Sequence, residues 1–96
     1  VLCFDDTTAA VLYTMLEEKG LRPGRDVRIV GYNDSSLCNM LSVPLSSVSS
    51  EGNQMGREAI TMLMGIIRGT GAAEDFNDFK VINPRLMARK SSTGRN

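Results

Sequence analysis

Histidine and tryptophan are absent from this chain of 96 residues, and its aromatics amount to two Tyr and three Phe. Without histidine the commonest general base, nucleophile activator and metal ligand is missing, which argues against an enzyme with hydrolytic or metal-centred chemistry. Excess charge of either sign is also lacking: Lys plus Arg equals Asp plus Glu at 11 each. A broad basic face that would steer the segment onto DNA or hold phosphates is therefore not expected. There is no run of about 18 apolar residues and no basic, apolar, small-residue leader, so we expect a soluble, cytoplasmic region with no membrane partner. Cysteine is scarce. Cys3 and Cys38 have neither metal-ligand nor redox spacing, and two structural thiols suit a reducing compartment. No Gly-rich loop follows a strand, so no cofactor is expected, and Gly31 and Gly56 are assigned to close backbone packing.

What the chain does have is two acidic clusters, each at the end of a short apolar strand. Asp5-Asp6 follows Val1-Leu2-Cys3-Phe4, and Asn33-Asp34 follows Val27 to Tyr32. Between them Thr7 to Lys19 places Ala9, Leu12, Met15 and Leu16 at helical spacing, and Gly20 closes the helix. Strand, helix and strand form a β-α-β unit with parallel strands and a right-handed crossover. Ligands of open parallel sheets settle beyond the carboxyl ends of the strands, so both clusters are expected to face one polar site. For Asp6 the sequence favours capping of the helix N-terminus. Asp5 divides evenly between ligand contact and turn formation, and Asp34 favours an Asx-turn.

Leu21 to Asp26 is turn chemistry. Asp34 to Ser50 is Ser-rich yet carries Leu37, Met40, Leu41, Val43, Leu45 and Val48, which predicts a long crossover with buried contacts. A second helix over about Glu51 to Arg68 aligns Met55, Ala59, Met62, Leu63, Ile66 and Ile67 into a stripe read as core. Gly69 to Asp78 is expected to be an exposed, mobile connection. Phe79 to Asn83 and Arg85 to Arg89 read as short extended pieces parted at Pro84, and Lys90 to Asn96 as a fraying polar tail. Val1 is not an initiator Met and the chain opens inside a strand, so the reading expects the C-terminal piece of a longer protein, of marginal stability by itself.

Several blocks, taken in order, resemble the C-terminal third of a LacI/GalR-type bacterial transcription regulator. Cys3-Phe4-Asp5-Asp6-Thr7-Thr8-Ala9 is similar to C-A-N-D-x-x-A, and Gly31-Tyr32-Asn33-Asp34 to G-[FY]-D-D. Val43-Pro44-Leu45-Ser46-Ser47-Val48 is similar to P-P-L-T-T-V, Met55-Gly56-Arg57-Glu58-Ala59 to M-G-x-x-A, and Leu86 to Ser92 to L-x-x-R-x-S-T. The resemblance implies a three-layer α/β parallel-sheet fold of the type I periplasmic-binding-protein kind, of which this chain is a C-terminal fragment. It assigns about residues 1–43 and 80–92 to the C-terminal lobe and its hinge return, about 45–69 to part of the N-terminal lobe, and 93–96 to a tail. It further implies a small-molecule effector, a sugar or nucleobase derivative, held between the lobes by Asp5 and Asn33, with Asp6 and Asp34 as further candidates. In this chain the family's Asn and first Asp are exchanged. The set keeps one carboxylate and one amide, although a carboxylate only accepts whereas an amide also donates.

The same resemblance implies a homodimer, with Ala10, Thr14, Leu37, Met40 and Leu41 as candidate interface residues. It also implies operator DNA as a partner of an upstream helix-turn-helix outside this chain. A periplasmic sugar-binding protein of a transport system is the alternative. A phosphoacceptor receiver shares the strand-Asp-Asp opening but requires a Lys-Pro step that is absent. Asp-x-Asp phosphotransferases need a spacing that adjacent Asp5 and Asp6 do not have, since neighbouring residues at a strand end point to opposite sides.

Overall fold

The computed structural model describes residues 1–69 and 80–94. They fall into two compact units, Val1–Ser50 with the segment from Pro84 onward, and Glu51–Asn83. The first unit runs through Ser50 before the chain enters the second.

Helix α1 spans Asp6–Glu18. Its N-cap is Asp5, not Asp6: Asp5 is extended at φ −152° and its carboxylate accepts the Thr8 N–H at 2.7 Å. This corrects the capping role assigned to Asp6, which is instead the first helical residue and is buried at 3 % exposure. The helix ends as expected at Gly20. The Gly20 N–H donates to the Glu17 carbonyl (3.0 Å) and Leu21 N–H to that of Leu16 (2.9 Å), the paired bonds of a Schellman motif. Ala9 and Tyr13 are its buried apolar residues, with Leu12 and Leu16 packed beside them, while Met15 lies on the exposed side.

The opening segment lies parallel to β1, Val30–Tyr32, through a bridge between Leu2 and Val30. Cys3 N–H donates to the Val30 carbonyl (2.8 Å) and Val30 N–H to that of Val1 (2.9 Å). Strand β1 is shorter than the Val27–Tyr32 run because Ile29 turns its N–H to the Ser91 carbonyl (2.9 Å), outside this ladder.

A strand the sequence did not announce, β2 at Ser46–Ser49, follows in parallel with β1, pairing Val30 with Ser46, Gly31 with Ser47 and Tyr32 with Val48. Strand β3, Arg85–Met87, runs antiparallel to β2. The sheet, in the order β1-β2-β3, is thus mixed rather than parallel throughout. Buried Cys3, Ala9, Tyr13, Ile29, Cys38 and Leu45 form the core, flanked by Leu12, Leu16, Val27, Leu41 and Val43. Tyr13 spans it: its hydroxyl accepts the Val43 N–H (3.0 Å) and bonds the Ser42 hydroxyl (2.8 Å), so the phenol is buried with its polar end satisfied.

The segment after β3 does not fray as expected. Lys90–Thr93 forms the short helix α3, and Ser91 is fully buried. Its N–H donates to the Pro44 carbonyl (2.9 Å) and its hydroxyl to the Ile29 carbonyl (2.7 Å), while the same hydroxyl accepts the Ser46 N–H (2.7 Å). Gly24, at φ +86°, lies so close to this helix that a Cβ there would stand 2.5 Å from the Lys90 carbonyl oxygen.

In the second unit α2 spans Gly52–Arg68. None of its residues is buried among the described residues, so the stripe read as core is not covered within this unit. Gly56 likewise has open space around it, which corrects the close packing expected there. Lys80 pairs with Glu58 at 2.6 Å, and residues 80–83 form no strand. The expected mobile connection at 70–78, Phe79 and the last two tail residues lie outside the described residues.

Candidate functional site

Because the opening segment and β1 run side by side in the same direction, Phe4-Asp5 and Tyr32-Asn33 leave the sheet at one carboxyl edge, where strands sit about 4.8 Å apart. Beyond that edge opens a hollow of about 540 Å³ lined by Leu2, Cys3, Phe4, Tyr32 and Asn33. Asn33 thus lines the hollow, whereas Asp5 stands next to Phe4 and gives one carboxylate oxygen to the Thr8 N–H. That backbone bond, with the Thr8 hydroxyl assisting, holds the Asp5 carboxyl below its ordinary value, so it is charged at neutral pH. Phe4 and Tyr32, apolar strand residues by their sequence pattern, join the lining. Phe4 is 88 % exposed and its ring, with that of Tyr32, adds apolar surface to the hollow.

Asn33 and Asp34 both have positive φ, 98° and 51°. Asn and Asp enter this region more readily than other side-chain-bearing residues, and a pair in succession marks a sharply constrained corner. The corner is held by β2: Asn33 N–H donates to the Val48 carbonyl (2.9 Å) and Asp34 N–H to the Ser47 hydroxyl (2.8 Å). The Asp34 carboxylate does not close a local turn as expected. It pairs with Arg89, Nη2 to Oδ1 at 2.7 Å, while Arg89 Nη1 donates to the Leu45 carbonyl (2.9 Å).

Asp6 lies beneath this corner and does not line the hollow. Its Oδ1 accepts the Ser47 hydroxyl (2.6 Å) and its Oδ2 the Ser35 N–H (2.7 Å). Burial by itself would raise its pKa. The donors from Ser47, Ser35 and Cys38 outweigh burial and hold the carboxyl below its ordinary value. Cys38 feels the reverse: burial first, then the neighbouring Asp6, push its thiol up to about 11. Gly31 faces Asp6 across β1, and a Cβ there would overlap Asp6 Oδ1 and stand 3.2 Å from its Cα, which bears out the close packing expected of that glycine. The signal for Asp6 as an internal bracket was therefore Gly31 together with the serines of β2.

Of the residues expected at a dimer interface, Met40 is 75 % exposed and Thr14 is exposed, Ala10 and Leu37 are half-buried, and Leu41 packs against the core. Thr14 gives its hydroxyl proton to the Ala10 carbonyl (3.0 Å). A second, larger cavity of about 900 Å³, lined in part by Tyr13, Arg22, Arg25, Arg28 and Lys90, contains none of the expected site residues. Among the described residues no group of His, Cys, Asp and Glu is placed to hold a metal ion, and no described helix is long and apolar enough to cross a membrane.

The profile of the periplasmic binding protein-like domain matches residues 1–92, and the chain belongs to that family. It is 32 % identical over 91 residues to the ribose operon repressor of Haemophilus influenzae, covering 95 % of this chain and 26 % of the relative. It is 35 % identical over 68 residues to the transcriptional repressor PurR of Vibrio atlanticus, covering 71 % and 20 %. A LacI family transcriptional regulator from an Arthrobacter species, solved in complex with lactose, superposes with a TM-score of 0.82 at 28 % identity over 95 % of this chain and 33 % of that one. Within the periplasmic binding protein-like domains the chain is thus part of an effector-binding domain of LacI/GalR type. It spans about a quarter of the length of the curated relatives it matches.

Proposed function

We propose that this chain contributes one wall of a ligand-sensing pocket in a non-enzymatic transcription regulator, with Asp5 and Asn33 contacting a small effector. The observation that supports the reading is the parallel pairing of Leu2 with Val30, which puts the segments leading to Asp5 and Asn33 at one strand-end edge, with Asn33 lining an open hollow and Asp5 next to its Phe4 wall. An anionic acceptor, an amide and two aromatic rings are the groups that recognise a polyhydroxylated ring: the polar pair takes hydroxyls and the rings take its apolar face. The lactose complex of the similar Arthrobacter protein and the name of the ribose operon repressor favour a sugar.

In this reading residues 1–43 and 80–92 serve the C-terminal lobe and its return, and α2 serves the other lobe. Ligand closes the lobes through its differential affinity for the two arrangements, and the change reaches operator DNA bound by a helix-turn-helix elsewhere in a cytoplasmic homodimer. Ala10, Thr14, Leu37, Met40 and Leu41 contribute to the subunit contact, with Met40 its most exposed apolar group. Residues 45–69 carry the crossing into the other lobe.

The test is titration calorimetry of the full-length protein with D-ribose, lactose and a panel of nucleobases. Asn33→Ala and Asp5→Ser, the latter retaining a capping hydroxyl, are expected to weaken binding while operator affinity without ligand stays unchanged. Unaltered affinity in both variants would overturn the assignment.

A further inference from the structure

We propose that Ser47 and Arg89 are positioning residues for this pocket, which set ligand affinity by holding the Asn33-Asp34 corner without touching the ligand. The inference rests on the effector-site reading above and adds to it the means by which the segments around the site control its geometry.

The corner is not self-supporting. Asn33 at φ 98° lies beyond the left-handed basin near +57°, and Asp34 at φ 51° follows it directly. Such backbone persists where its surroundings over-determine it. Here two hydrogen bonds, to the Val48 carbonyl and the Ser47 hydroxyl, and one ion pair, to Arg89, do so. The Ser47 hydroxyl, fully buried, accepts the Asp34 N–H and donates to Asp6 Oδ1, so one oxygen ties both acidic clusters to β2. Arg89 holds the other side. Its two terminal nitrogens span the Asp34 carboxylate and the carbonyl of buried Leu45, clamping the corner against the start of β2. A lysine has one nitrogen and cannot make both contacts in a fixed plane. Neither residue lines the hollow, so their influence passes through Asn33.

Ser47 sits in β2 and Arg89 in the link between β3 and α3, the two segments by which the chain leaves this unit and returns to it. Any shift of these segments must therefore move the corner or break its bonds. Ser47→Ala is expected to lower stability as well, because it also removes a donor from buried Asp6, whereas Arg89→Lys is expected to change ligand affinity out of proportion to stability.

The experiment uses the full-length protein carrying Arg89→Lys, Arg89→Ala or Ser47→Ala. Amide hydrogen exchange at Asn33, Asp34 and Ser35 is expected to accelerate about tenfold or more, with amides of Ala9 to Tyr13 in α1 unchanged. Affinity for D-ribose or lactose, whichever binds the unaltered protein, is expected to fall about 3- to 30-fold, more for Arg89→Ala than for Arg89→Lys. Unchanged exchange at the corner overturns the proposal. So does faster exchange with undiminished sugar affinity, since the corner would then not govern binding. If neither sugar binds the unaltered protein, the sugar reading fails and the exchange measurement decides the positioning role.

Discussion

Ser91 offers the sharpest energetic test of how the chain is held together. Removing its hydroxyl by Ser91→Ala strands two buried backbone groups at once, the Ile29 carbonyl that accepts from it at 2.7 Å and the Ser46 N–H that donates to it at 2.7 Å. Ile29, Ser46 and Ser91 are all fully buried, so water cannot replace the lost partner without opening the core. An unsatisfied buried polar group costs about 1–3 kcal/mol, which gives about 2–6 kcal/mol for the pair. That is a large share of the roughly 5–15 kcal/mol by which a typical domain is stable. In urea unfolding of the full-length protein, with a slope of about 3 kcal/mol per molar, the midpoint should drop by about 0.7–2 M. Thr93→Ala is the control, because that residue is exposed in the same short helix. A Ser91→Ala midpoint within about 0.2 M of the Thr93→Ala midpoint would refute the claim that this hydroxyl closes the core.

Two further predictions concern the buried acid and thiol. The Asp6 carboxyl has a native pKa below its unfolded value, so its contribution is fully present above about pH 4 and is lost as pH falls through the lower native value. Asp6→Asn should lower stability at pH 7 by about 1.5–3 kcal/mol and flatten this part of the acid limb in a denaturation series; an acid limb of unchanged steepness would contradict it. The Cys38 thiol, pushed up to about 11 and buried, should resist alkylation by iodoacetamide at pH 8 until the protein is unfolded. Rapid labelling of Cys38 in the native protein, read by peptide mass spectrometry, would contradict that burial.

The β-α-β opening was legible because its signals are apolar runs and helical spacing, which report burial directly. Strand β2 was not, because Ser46-Ser47-Val48-Ser49 carries no apolar alternation: two serines occupy fully buried positions and are tolerated there by the bonds each hydroxyl makes. A pattern method reads such a segment as loop. The fate of Lys90 to Thr93 was hidden for the same reason, since the burial of Ser91 depends on Ile29 and Ser46, distant in sequence, both offering it a backbone group. The antiparallel direction of β3 follows from where the chain re-enters the sheet, which local sequence does not state.

Adjacent Asp5 and Asp6 were legible as a pair but not in their roles, and the structure explains why both are needed. Successive residues at the start of a helix point apart, so one carboxylate can cap α1 at the rim while the next turns inward. The inward one could not be an amide of the same shape without loss. Asp6 receives hydroxyl and N–H donors at both oxygens, from Ser47 and Ser35, which a group that accepts on one atom and donates on the other cannot satisfy. Exchange at the outer position is far less constrained, because Asp5 needs one oxygen for Thr8 and leaves the other to the solvent-facing rim. The carboxylate-for-amide difference from the family pattern at Asp5, matched by the reverse difference at Asn33, thus falls at the two positions proposed to meet the effector, while Asp6 behind them is fixed by the donors of Ser47 and Ser35.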